Sequence, residues 1–416
     1  MFAEIIFAKI DKNVTKTLVK KKIVNKKDYE IRRYIDNYYV FVNDIGEADE
    51  IQHELSIALQ EYNLHINDGK TEDFVRPFYT KKSFAVDSIN KHINNLMENI
   101  VNKETINGKV YLFPQKVFKQ KAVVKSFINE AKAACFAADL QYDAVSNYVL
   151  GAIRNKLISI ADNYDEAILL NVGQENIKVE YYRVVFEVLL ELGFYFFSIH
   201  PTVSSSLALS HSIVRAGQYL EKIDEPGYQI LQEKLLRWVH QLSSSPAFSQ
   251  LLIRQTVIPI EFLNIIISLE AFGSDGRVEH KMLENLKSED KNMTYFDIIT
   301  SLFIFKSDSK FDNQRNEVFS HAKKILIEDK KFFLKSDKVH LLLDVLACPY
   351  IELQERATLL EEIWPTLKEH GSQLQKITRA KSRSLVKEIE GQFWFVKWGD
   401  IDLLNLIEKK ELSAVY

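Results

Sequence analysis

The chain has 416 residues, 46% of them hydrophobic and 27% charged, a composition that allows two or three folded domains and excludes wholesale disorder. Its net charge of -3 provides no global field toward nucleic acid or an anionic membrane, so any such attraction must come from a local patch.

Residues 2–14 place Phe2, Ile5, Ile6, Ile10 and Val14 at helical spacing. Lysines crowd the same stretch and the one after it: Lys9, Lys12, Lys16, Lys20, Lys21, Lys22, Lys26 and Lys27. Such a run reads either as a solvated face or as a phosphate-binding patch, with Lys16, Lys20, Lys21 and Lys22 at its centre. Residues 29–43 change to aromatic and β-branched character, interrupted by Asp36-Asn37, which predicts a β-hairpin with an acidic tip. Ile51, Leu55, Ala58, Leu59 and Tyr62 then predict a helix. Leu64 and Ile66 predict a short strand ending at the turn Asn67-Asp68-Gly69.

Beyond about residue 85 the pattern becomes helical, with apolar-striped segments near 85–102, 118–138, 141–162, 175–198, 203–222, 226–242 and 247–271. Short polar breaks separate them, which suggests stacked helical hairpins or a helical repeat. Gly273-Ser274-Asp275-Gly276 marks a boundary, and 277–416 is again helical, punctuated by Cys348-Pro349-Tyr350 and Trp364-Pro365. The expected fold is α+β at the start (hairpin, helix, short strands), followed by a large all-α region. Its expected domains are 1–84, 85–272 and 277–416.

Val184 to Ile199 is the greasiest stretch, but it holds Glu187 and Glu191 and is too short for a bilayer, so we expect a buried helix and no membrane segment. No secretory signal is visible, and Cys135 and Cys348 lack disulfide or zinc spacing, so a reducing cytoplasm is the expected location.

The hairpin block Arg33-Tyr34-Ile35-Asp36-Asn37-Tyr38-Tyr39-Val40-Phe41-Val42-Asn43 resembles the Tyr-x-Asp-Asp hairpin of a reverse-transcriptase palm. Downstream, Leu64-His65-Ile66-Asn67-Asp68-Gly69-Lys70-Thr71 resembles that family's Leu-x-Ile-Asn-x-x-Lys-Thr block. Met1-Phe2-Ala3-Glu4-Ile5-Ile6 is similar to the helix after its template-contacting motif. The resemblance implies nucleotidyl transfer on two divalent ions, Mg²⁺ or Mn²⁺. Asp36 would be the metal ligand, Tyr34 and Asn37 would frame it, and Lys70 would meet the triphosphate or pyrophosphate.

Two departures shape the expectation. Asn37 replaces the second aspartate of the box with a neutral, weaker oxygen donor. No strand ahead of the hairpin supplies the family's first catalytic aspartate. The chain alone is therefore expected to be inactive as an RNA-directed or untemplated DNA polymerase, the missing palm half being absent or a separate chain. The alternative is a non-enzymatic helical scaffold that binds nucleic acid or a partner; without a completed site, no cofactor is expected.

Farther on, Phe194-Tyr195-Phe196-Phe197-Ser198-Ile199-His200-Pro201-Thr202 looks like the helical domain of the AbiA and AbiK class of abortive-infection reverse transcriptases. So does Phe393-Trp394-Phe395-Val396-Lys397-Trp398 with the following Asp400-Ile401-Asp402-Leu403-Leu404. That class implies phage defence, a nucleic-acid channel and homo-oligomers. Arg315-Asn316-Glu317-Val318-Phe319-Ser320-His321 looks like the signature of HEPN ribonucleases, in which Arg315, Asn316 and His321 would cleave RNA by charge stabilisation and proton transfer. Weaker signals read as structure. His53 and His65 are surface or half-buried residues, Ser204-Ser205-Ser206 is a helix start, and the Asp275 loop is too poor in acids for calcium. No Walker-type loop supports an ATPase.

Overall fold

The computed structural model describes residues 2–76, 79–171, 173, 177–246, 248, 259–273, 293–370, 377–399 and 401–413. The chain forms two compact units, Met1–Tyr79 and Thr80–Tyr416. A small α+β unit is thus followed by a large, almost entirely helical one.

In the first unit, helix α1 (Phe2–Lys20) leads into strands β1 (Tyr29–Tyr34) and β2 (Asn37–Val42), and then into helix α2 (Ile45–Gln60). Ile10, Val14 and Leu18 recur every four residues, so one stripe of α1 faces the core. There it meets Ile51, Leu55, Ala58 and Leu59 of α2. The period-two alternation of the strands adds Tyr29, Ile31, Tyr38, Val40 and Val42 from the inner face of the hairpin. Asp44 starts α2 by accepting a hydrogen bond from the Gly46 amide at 2.8 Å.

The expected strand at Leu64 and Ile66 does not form. Asn63 takes a positive φ of 59°, and the Leu64 amide donates to the Leu59 carbonyl at 3.1 Å. Leu64 is therefore used to close the end of α2, and among the described residues no strand pairs with it. Ile66 packs against the core, and a single 3₁₀ turn, Asp68–Lys70, follows.

The second unit opens with α3 (Lys81–Ile100), capped by Thr80, whose hydroxyl accepts from the Ser83 amide at 3.0 Å. The helical expectation for 85–102 fails at its end, where β3 (Val101–Ile106) and β4 (Lys109–Pro114) form a second antiparallel hairpin. Asn107 and Gly108 have φ of 54° and 80°, the left-handed pair that a tight two-residue turn demands.

Helices α4 (Gln120–Ala137), α5 (Asp143–Leu169), α6 (Val179–Ile199), α7 (Val203–Ile223) and α8 (Glu225–Ser243) follow. Of the expected helix at 247–271, α9 (Ile260–Ser268) and a 3₁₀ turn are seen; residues 249–258 lie outside the described ones. Then come α10 (Tyr295–Phe305), α11 (Asp312–Glu328), α12 (Ser336–Ala347), α13 (Leu353–His370), α14 (Arg379–Ile389) and α15 (Leu403–Ser413).

One continuous core runs from Ala85 to Trp398 and takes in residues on both sides of the expected boundary at 273–276, of which 274–276 lie outside the described residues. Val184–Ile199 lies in α6, whose Val185, Phe186 and Leu189 are buried. Glu187 sits there between Arg183 at 2.5 Å and Lys234 at 2.6 Å. Among the described residues no helix is long and apolar enough to cross a membrane. Cys348-Pro349-Tyr350 ends α12 as expected, whereas α13 runs straight through Pro365. Proline there removes one backbone hydrogen bond, but Leu359, Leu360 and Ile363 remain buried around it, and tertiary packing outweighs the local penalty.

Candidate nucleic-acid interface and hairpin site

Helix α1 has three chemically distinct faces. Ile10, Val14 and Leu18 form the buried one. At 100° per residue, Lys9, Lys12, Lys16 and Lys20 fall within a sector of about 80° roughly opposite that stripe. All four are exposed, and none pairs with a carboxylate among the described residues. The third face carries Glu4 and Asp11, and Arg33 of β1 satisfies both.

Arg33 is only 11% exposed at its side chain and is the organising group of this unit. Its Nε donates to Asp11 Oδ2 at 3.0 Å, and its Nη1 and Nη2 reach the two Glu4 oxygens at 3.1 and 2.6 Å. The guanidinium also lies 5.1 Å from the centre of the Phe7 ring. The Glu4 carboxylate, then Asp11, hold the guanidinium charged still more firmly than usual, and Arg33 in turn lowers the Glu4 carboxyl. Tyr38 adds a hydrogen bond to Asp11 Oδ1 at 2.7 Å; burial, then the Asp11 charge, push its phenol well above the ordinary tyrosine range. The carboxylates of α1 are thus neutralised from the hairpin side, while its lysines face outward.

The remaining lysines divide. Lys21 pairs with Glu50 and, at 2.5 Å, with Glu54 of α2, and the Glu50 hydrogen bond is the main cause of its raised pKa. Lys21 thus ties α1 to α2, and two carboxylates offset its charge. Lys22 has a φ of 69° in the turn that ends α1, where its amide donates to Val19 at 3.0 Å and the Ile23 amide to Leu18 at 2.9 Å. That is a Schellman closure with lysine in the position glycine favours, and Lys22 is exposed there.

At the hairpin tip, Tyr34 pairs with Asn37, so the two-residue turn is Ile35-Asp36. Ile35 has a φ of 57°, unusual for a β-branched residue, and its carbonyl accepts from Arg33 Nη1 at 2.7 Å. Tyr34, Asp36 and Asn37 are all exposed, as is Lys70 at the end of its 3₁₀ turn. Among the described residues Lys70 makes no hydrogen bond or ion pair with Asp36 or Asn37, and no group of three or more His, Cys, Asp or Glu residues could hold a metal ion. Glu4 and Asp11, the carboxylates of α1, are committed to Arg33 and Tyr38. One carboxylate with one carboxamide does not fit a two-metal centre, which divides several carboxylates between two cations.

The Arg315, Asn316 and His321 set lies on α11, and the helix separates it. Six residues rotate the side chains by about 240° and advance them about 9 Å, so Arg315 and His321 project from different faces. Arg315 is 13% exposed; its Nη1 donates to the carbonyls of Lys306 at 2.8 Å and Asp308 at 3.3 Å, and it pairs with Asp312. It joins the end of α10 to the start of α11. Asn316 and His321 are exposed. Arg315 is thus held in structural contacts, on a different face of α11 from His321. Ser205, by contrast, forms a capping box with Thr202 at the start of α7, as a helix-start reading of the serine run implies.

Sequence reasoning missed Arg33, Asp11, Glu4 and Tyr38 as a group. The available signal was Arg33 on the inward-facing register of β1, where a cation needs a carboxylate partner. No protein-family model matches this sequence, and no curated protein or solved structure matches it.

Proposed function

We propose that this chain is a nucleic-acid-binding component of a phage-defence protein of the reverse-transcriptase type, and that it holds a single strand along α1. The carrying observation is the stripe of Lys9, Lys12, Lys16 and Lys20, exposed and without carboxylate partners among the described residues, on a helix whose own acids are neutralised by Arg33. Such a stripe displaces counterions from successive phosphates without reading sequence. The exposed hairpin tip of Tyr34, Asp36 and Asn37 supports the palm resemblance in shape. It offers one carboxylate, so polymerisation would require further carboxylates beside Asp36.

The proposed role is therefore strand binding, with catalysis contingent on further carboxylates beside Asp36. The test is the salt dependence of binding to a labelled single-stranded oligonucleotide, in the wild-type chain and in a variant lacking the stripe. Binding that ignores the stripe would remove the basis of this reading.

A further inference from the structure

In the second unit, an open cavity of about 380 Å³ lies between α3 and α4, lined also by residues 116–119. That volume falls in the lower part of the range occupied by small-molecule sites. Its floor is apolar: Leu96 and Phe127 are buried, and Val123 packs beside them.

Three features of the rim point to one ligand chemistry. The first is Phe118, which is 82% exposed, an aromatic ring left facing water at the cavity edge. Lys116 Nζ stands 4.9 Å from the ring centroid, so the ring already carries a cation beside it. A planar heteroaromatic ring laid on Phe118 would bury a surface that the fold itself leaves open.

The second feature is positive charge confined to one end. Lys116 and Lys119 line that end, and α4 begins there with Lys119 as its cap residue and no side-chain hydrogen bond to the first-turn amides. Two ammonium groups and an uncapped helix start together favour an anion carrying several acceptor oxygens. The cavity's own carboxylate does not compete. Glu130 lies about 15 Å beyond the start of α4, where it accepts from Ser126 at 2.9 Å and pairs with His92 at 3.0 Å.

The third feature is a pair of carboxamides. Asn95 and Asn99 sit one turn apart on α3, exposed at the cavity wall, and neither has a hydrogen-bond partner among the described residues. Each offers a donor and an acceptor side by side, the pattern that pairs with the edge of adenine.

We propose that this cavity binds a purine nucleoside 5′-phosphate. The base stacks on Phe118, Asn95 and Asn99 meet its edge, and the phosphate lies between Lys116, Lys119 and the start of α4. The same chemical unit occurs as a free nucleotide and within a single strand. This site is separate from the α1 stripe and does not depend on it.

The experiment is calorimetric titration of the full chain with adenosine 5′-monophosphate, adenosine, and a five-residue oligoadenylate. Adenosine 5′-monophosphate should saturate one site, and adenosine, lacking the phosphate, should bind at least about tenfold more weakly. Phe118→Ala should weaken the nucleotide by roughly 5- to 150-fold, the loss of one stacked base, whereas Phe118→Tyr should retain it. Joint Lys116→Ala and Lys119→Ala should abolish the preference for the phosphorylated ligand. The ring of Phe118 is exposed, so an unchanged melting temperature for Phe118→Ala is expected and separates loss of binding from loss of fold. Replacing Lys9, Lys12, Lys16 and Lys20 by alanine should leave nucleotide affinity unaltered, which distinguishes this site from the strand-binding face. Oligoadenylate binding that is tighter and weakened by Phe118→Ala assigns the site to a strand; mononucleotide binding weakened by Phe118→Ala, with oligoadenylate binding indifferent to it, assigns the site to a free nucleotide. The proposal is overturned if neither probe saturates the variant lacking Lys9, Lys12, Lys16 and Lys20, or if adenosine 5′-monophosphate binding survives both Phe118→Ala and the double lysine substitution.

Discussion

Arg33 Nη1 donates to the carbonyl oxygen of Ile35 at 2.7 Å, so the side chain that neutralises Glu4 and Asp11 also fixes the turn presenting Asp36. Removing it should uncouple hairpin from helix. Arg33→Ala is expected to lower the stability of the first unit by about 1–3 kcal/mol, the range for hydrogen bonds to charged groups, in urea unfolding. Glu4→Gln should shift the midpoint little, because Glu4 is exposed and Asp11 remains. Equal effects of the two substitutions would show that Arg33 is merely a surface charge.

Lys22 makes the opposite prediction. Its φ of 69° costs a side chain about 1–2 kcal/mol relative to right-handed backbone. Lys22→Gly should therefore stabilise the chain by up to about 1 kcal/mol, read as a raised unfolding midpoint. Destabilisation by glycine would mean that the lysine side chain, rather than the backbone, closes α1.

Several phenols are harder to ionise in the folded chain than in the unfolded one. Burial raises the pKa of Tyr182 and Tyr219, and burial followed by Asp344 raises that of Tyr295, whose hydroxyl donates to Asp344 at 2.7 Å. A raised folded-state pKa means that the unfolded chain gives up its proton first. The stability is fully present below the unfolded value near 10 and is lost as pH rises from there toward the folded value. Each such tyrosine should steepen the loss by about 1.4 kcal/mol per pH unit within that window. Denaturant midpoints between pH 8 and 11 should fall only above about 10, and Tyr182→Phe should soften the fall; a flat profile through pH 11 would contradict it.

The contacts of Arg315 with the Lys306 and Asp308 carbonyls predict a structural phenotype. Arg315→Ala should destabilise the second unit by about 1–3 kcal/mol, whereas His321→Ala on the exposed face should stay within about 0.5 kcal/mol of the wild type. RNA cleavage abolished equally by both substitutions, with melting temperatures unchanged, would instead restore the ribonuclease resemblance.

The sequence was most legible where one period dominated. Ile10, Val14 and Leu18 at four-residue spacing mark α1, and the alternation around Tyr38 and Val40 marks the hairpin. The second hairpin went unread because the apolar stripe of α3 runs into Val101 without a break. The informative signal was the dipeptide Asn107-Gly108, which is local and needs the left-handed φ that both residues adopt. Leu64 misled for the opposite reason: an apolar residue after a helix also serves to close it. In the candidate site, spacing exposed the lysine stripe, but not that Glu50 and Glu54 had claimed Lys21. Ion pairs between α1 and α2 depend on packing angle, which periodicity does not encode.

The strand-binding proposal rests on which lysines are free, and one comparison tests it most directly. Binding of a labelled single-stranded oligonucleotide is followed by anisotropy across a range of salt concentrations. The wild type is set against joint Lys12→Ala, Lys16→Ala and Lys20→Ala, and separately against Lys21→Ala. Each phosphate that a lysine no longer neutralises reduces the slope of log affinity against log salt by roughly 0.7, so the triple substitution should flatten it by about 2. Lys21→Ala should leave the slope nearly unchanged, because Glu50 and Glu54 already hold that charge. An unchanged slope in the triple variant, or a flattening produced by Lys21→Ala alone, would contradict a phosphate-binding face on α1.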